Sequence, residues 1–112
     1  MRERPKSLAG TTYRMITGCG ALYVTVNEME VFVSIGKAGG CATAQAEAIG
    51  RLISLSLRSG VTKEKVIKQL MGISCHSPAG LNEDKMLSCA DAIAKALKEH
   101  KTEGEENATN MV

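Results

Sequence analysis

From Thr11 onward, polar and apolar positions alternate along the chain. TTYRMIT (11–17) gives way at Gly18-Cys19-Gly20 to ALYVTVN, and EVFVSIG follows a polar break at Asn27-Glu28. A period of two puts successive side chains on opposite faces of a strand. The pattern predicts a β-meander with its central hairpin formed by residues 21–27 and 30–35. Lys37-Ala38-Gly39-Gly40 breaks the alternation, and the period then becomes helical. A helix is expected from near Cys41 to Ser59, with Ile49, Leu52, Ile53 and Leu57 at helical spacing. Ala42, Ala44, Ala46, Ala48 and Gly50 would let it pack closely on the sheet. Gly60 suits a left-handed helix stop. Thr62 is placed to cap a second helix, with Val66, Ile67 and Leu70 inward and Gly72 ending it. Residues 73–84 read as an irregular loop. Ser88-Cys89-Ala90-Asp91 has the spacing of a capping box, and a last helix to about His100 would bury Ala92, Ile93, Ala96 and Leu97.

Strands followed by helices, with no internal repeat, imply an α+β fold: a small antiparallel β-meander followed by three helices in a single domain. Its expected bounds are 11–100. Residues 1–10 read as a flexible arm, and the polar 101–112 as a disordered tail. At 112 residues the chain has room for one core. Aromatics make up only 3% (Tyr13, Tyr23 and Phe32), so aliphatic side chains must fill that core and a cross-link or metal would help it.

Charge adds little. The net +2 is uneven, with Arg2, Arg4, Lys6 and Arg14 near the start and Glu103, Glu105 and Glu106 near the end. Solvated tails are the simpler reading, and the scarcity of aromatics argues against a nucleic-acid binder. No apolar run reaches the roughly 20 residues that span a bilayer, and the N-terminus lacks the apolar stretch of a signal peptide. A cytoplasmic location is therefore expected, where thiols stay reduced and cysteines serve as metal ligands or redox groups.

Cys19, Cys41, Cys75 and Cys89 are 22, 34 and 14 positions apart, unlike a paired CxxC ribbon. Their positions are more telling than their spacing. Cys19 lies between glycines at a strand end, Cys41 follows two glycines at a helix start, Cys75 lies in a loop, and Cys89 opens a helix. Backbone excursions at such places can aim four sulfurs at one point. The two helix starts also favour thiolate. Four ordinary or reactive thiols, a four-thiolate zinc site, an iron–sulfur cluster and a redox dithiol pair all stay open on these residues. His76 is a surface loop residue on the simpler reading and a substitute ligand on the other.

Other chemistry is sparse. Lys37, Gly39 and Gly40 before a helix, with Arg51 further along, are candidates for an anion site. The full P-loop pattern is missing, which favours a structural turn. Arg51 and Arg58, seven apart on one helix face, form a solvated stripe or an anion-binding face.

The runs TGCGALYVTVNE, VFVSIGKAGGCATAQAEAIGRLISLSLRSGV, VIKQLMGISCHSP and SCADAIAKAL together resemble the TSCPD domain over about residues 15–100. That family occurs near the C-terminus of adenosylcobalamin-dependent, class II ribonucleotide reductases and as small stand-alone proteins. Its cysteines fall on Cys19, Cys41, Cys75 and Cys89, so the resemblance implies one metal site, with zinc the expected ion. The motif departs at Leu87, where the family has Thr, and at Ala90, where it has Pro. The reductases' barrel, cobalamin site and C-terminal cysteine pair would not fit this chain. The resemblance thus implies an accessory to ribonucleotide reduction, with a separate catalytic subunit as partner and adenosylcobalamin held only there. The alternative is a small nucleotide- or anion-binding regulatory module without catalytic activity.

Overall fold

The computed structural model describes residues 2–36, 40–75, 78–80 and 85–100. Strands β1 (Thr11–Thr17), β2 (Gly20–Val26) and β3 (Val31–Ile35) form an antiparallel sheet in chain order. Helices α1 (Gly40–Arg58), α2 (Lys63–Leu70) and α3 (Cys89–Glu99) follow, giving the expected α+β meander with three helices. No helix among the described residues is long and apolar enough to cross a membrane.

The register explains the core. Leu22, Val24 and Val26 on β2 pair with Ile35, Val33 and Val31 on β3, so one sheet face is continuously aliphatic. Met15 joins it from β1, while Ala92, Ile93, Ala96 and Leu97 of α3 are wholly buried against it. Tyr13 reaches from the same face, its hydroxyl 3.2 Å from His100 Nδ1 at the end of α3. The opposite sheet face carries Tyr23 and the half-exposed Phe32 and Ile16.

Helix α1 packs on β3 through a narrower stripe than its apolar spacing suggests. Ala46, Gly50 and Ile53 are buried, Ile49 and Leu57 partly so, but Leu52 is 64% exposed and Ala44 and Ala48 face outward. The cause is close approach. A Cβ on Gly50 would lie 3.3 Å from both Val31 O and Val33 Cγ2, so the small residues, not Leu52, set the contact face. One turn on, Ser54 Oγ accepts from Val31 N (2.9 Å) and donates to Val31 O (3.1 Å). This satisfies the outer edge of β3, which otherwise leaves backbone groups unpaired.

The caps follow from local chemistry. Gly60, at φ +98°, ends α1 with Val61 N donating to Ser56 O and Gly60 N to Leu57 O, the paired bonds of a Schellman motif. Thr62 caps α2. Between β2 and β3, Asn27 Oδ1 accepts from Met29 N and Glu30 N, the local turn that Asn favours. Residues 2–10 form neither strand nor helix. They are nonetheless fastened, by Arg2 N donating to Arg58 O (2.9 Å) and Arg4 Nε to both Glu30 carboxylate oxygens (2.8 and 2.9 Å).

Candidate metal centre

At one end of the sheet the β1–β2 connection is two residues long, since Thr17 pairs directly with Gly20. Gly20 adopts φ +129°, which a side chain would oppose. The buried Thr17 holds the turn: its Oγ1 donates to Gly20 O (2.8 Å) and accepts from Cys19 N (3.2 Å). The same hydroxyl accepts from Cys89 Sγ at 3.8 Å. One threonine thus joins the hairpin tip to the start of α3.

The second support is Asp91, a carboxylate only 1% exposed. Its Oδ1 accepts from Gly72 N (2.9 Å), and its Oδ2 accepts from Leu87 N (3.0 Å) and Lys95 Nζ (2.8 Å). Lys95 Nζ also donates to Lys85 O. Ser88 caps α3, its Oγ accepting from Asp91 N (3.0 Å) and donating to Ile73 O (2.6 Å). The expected capping box therefore half forms. The serine bonds forward, but the acid reaches past it to Leu87 and across to Gly72. Together these bonds tie the end of α2, residues 72–75 and residues 85–88 to α3, and Cys75 N donates to Leu87 O (2.9 Å) within the bundle.

Cys19, Cys75 and Cys89 share this neighbourhood. Cys19 lies within hydrogen-bond reach of Cys89, and Cys75 is near enough to act on it electrostatically. Burial pushes the Cys89 thiol above its ordinary value; the Thr17 hydroxyl works the other way, and the neighbouring sulfurs add to the rise. Burial thus works against the thiolate that a helix start would favour at Cys89. At Asp91 burial also pushes upward. The hydrogen bonds from Lys95, Gly72 and Leu87 outweigh it and hold the carboxyl below the ordinary aspartate value.

Cys41 is exposed in the first turn of α1 and is not among the groups that shift the Cys89 thiol. None of the four cysteines forms a disulfide. Among the described residues, no three His, Cys, Asp or Glu side chains converge closely enough to hold a metal ion. The donor chemistry nevertheless suits a thiophilic ion. Thr17 binds the Cys19 backbone and the Cys89 thiol, Cys75 lies on the neighbouring 72–75 segment, and the fourth cysteine is at the start of α1, where the chain leaves the same end of the sheet: Gly36 N donates to Ala21 O, one residue past the hairpin's Gly20.

Of the anion candidates, only Gly40 and Arg51 lie among the described residues, and they are far apart. Lys37 and Gly39 lie outside the described residues, as do His76 and the 101–112 tail. Gly40 opens α1, whereas Arg51 is eleven residues further on, about 16 Å along the axis. Arg51 instead pairs with Glu47 at 3.2 Å.

Thr17 and Asp91 are the residues that sequence reasoning missed in the site. Asp91 had a local signal, its place three residues after Ser88, but its backbone partners at Gly72 and Leu87 left none. With this geometry in place, comparison with family models finds that the TSCPD domain matches residues 1–101. Neither the curated proteins nor the solved structures yield a match.

Proposed function

The chain belongs to the TSCPD domain family, and from that premise we propose that it is an accessory module of a B12-dependent ribonucleotide reductase, closed at one end by a zinc ion on its cysteines. The observation that carries this reading is that Thr17 joins the Cys19 turn to the Cys89 thiol, with Cys75 close enough to Cys89 to act on it electrostatically. Cys41 would complete the set from the start of α1. A bound zinc would cross-link the hairpin tip, the 72–88 region and both helix starts, supplying folding energy rather than reactivity.

The remaining work falls to the chain's own residues. Thr17 holds the Cys19 turn against the start of α3, while Asp91 and Ser88 fix the backbone on either side of Cys75 and Cys89. On this reading radical chemistry and adenosylcobalamin belong to a separate catalytic subunit. The role left to this module is docking on that subunit.

The test is elemental analysis with native mass spectrometry of protein purified without chelator, beside co-purification with a class II reductase subunit. About one zinc per chain, with retention on the subunit, supports the reading. Metal-free folded protein would remove the metal half, and absence of any effect on the subunit's binding or turnover would remove the reductase half.

A further inference from the structure

Away from the cysteines, the C-terminal half of α1 and the edge strand β3 enclose an open pocket of about 490 Å³. Its lining includes Phe32, Glu47, Arg51, Leu55 and Arg58. Arg58 lies seventeen residues beyond Cys41, about 25 Å along the helix, so this pocket is separate from the cysteine end.

Arg58 is the unusual member. Its guanidinium is partly buried, yet among the described residues it has no carboxylate partner. Its Nε is buried without a hydrogen-bond acceptor. Its Nη2 makes only a long bond, 3.4 Å, to Arg2 O. A buried guanidinium N–H without an acceptor is costly, and an arriving anion that accepts from it relieves the cost.

The other charges do not block an anion. Glu30 is held by Arg4 through both oxygens. Glu47 is engaged with Arg51, but that pair is exposed on both sides, and such i,i+4 pairs are worth only about 0.3–0.5 kcal/mol. Arg51 is therefore readily released to a better acceptor. Counting Arg4, three guanidinium groups face two carboxylates here.

The shape of the site selects further. Arg51 and Arg58 are separated by about 10 Å of helix rise, which matches a run of linked phosphates better than a single one. Between them Leu55 is 50% exposed, and across the pocket Phe32 is 52% exposed. Such side chains stack on or cover a flat ring. We propose that this pocket binds an organic polyphosphate bearing an aromatic ring, of which a nucleoside diphosphate is the simplest example. Arg51 and Arg58 take the phosphates, and Phe32 takes the ring.

Calorimetric titration of the full chain with ADP, pyrophosphate and adenosine tests the assignment. ADP should bind at least about tenfold more tightly than pyrophosphate, with adenosine weaker than both, and ADP affinity should fall as salt rises. Arg51→Gln and Arg58→Gln should each weaken ADP by about tenfold. Phe32→Ala should weaken ADP while leaving pyrophosphate unchanged. Arg51 is exposed, so its variant will fold, and thermal melts verify the other two. Absence of binding by ADP and pyrophosphate at millimolar concentration overturns the proposal. So does ADP affinity indifferent to both arginine substitutions, or an ADP affinity no greater than that of pyrophosphate. None of these results depends on whether the cysteines hold zinc or a reductase subunit is bound.

Discussion

Asp91 is the buried charge at the cysteine end, and its removal separates two kinds of stability. The carboxylate satisfies two backbone N–H groups from different segments and an ammonium, all within about 3 Å. Asp91→Ala would leave these donors without their acceptor and Lys95 without its partner. A loss of about 3 kcal/mol is expected, in the range for breaking buried charged networks. Lys95→Ala should cost no more than about 1 kcal/mol, since Lys95 is partly exposed and its removal leaves the backbone bonds intact. Urea unfolding of the two variants tests the contrast. Equal losses would mean that the ion pair, not the backbone bonds, carries the effect.

Among the elements, α1 on β3 shows what the pattern of residues reveals and what it hides. Strands and helices were legible because alternation and helical spacing follow from backbone geometry, and α3's inward Ala92, Ile93, Ala96 and Leu97 were readable for the same reason. The contact face of α1 was not. An alanine-rich helix presents small residues on several faces, and the close approach at Gly50 was settled by Val31 and Val33 of another element. Likewise, the four cysteines could be picked out by family likeness, but their supports could not. Backbone N–H groups at Gly72 and Leu87 leave no mark on composition. Two substitutions test the α1 interface. Gly50→Leu must push α1 off β3 and should cost about 2–3 kcal/mol by overpacking. Ser54→Ala, which strips both side-chain bonds from Val31, should cost about 1–2 kcal/mol. Thermal melts measure both. A neutral Ser54→Ala would show that water serves the β3 edge equally well.

For the whole molecule, the arrangement divides the fold into an aliphatic core and a polar end where backbone segments meet at sulfur. Sheet, α1 and α3 are joined by buried Leu22, Val24 and Val26, Ala46 and Ile53, and Ile93 and Leu97, and they should retain structure without any ion. The hairpin tip, residues 72–75 and residues 85–88 depend instead on Thr17, Asp91, Ser88 and, on the proposed reading, on zinc. Chelation should therefore deprotect amides near Cys19 and Cys75 in hydrogen exchange first, while β2 and α3 amides stay slow. Single serine substitutions should follow the same geography. Cys89→Ser removes the sulfur that Thr17 holds and on which Cys19 and Cys75 act, and should abolish metal retention, whereas Cys41→Ser, at the exposed start of α1, should weaken it least because a water can occupy its position. Zinc stoichiometry by native mass spectrometry across the four variants measures that order. Equal loss at all four positions would place Cys41 in the coordination shell on the same footing as the other three. Retention in Cys89→Ser would mean that the contact between Cys89 and Thr17 is packing, with the ion held elsewhere.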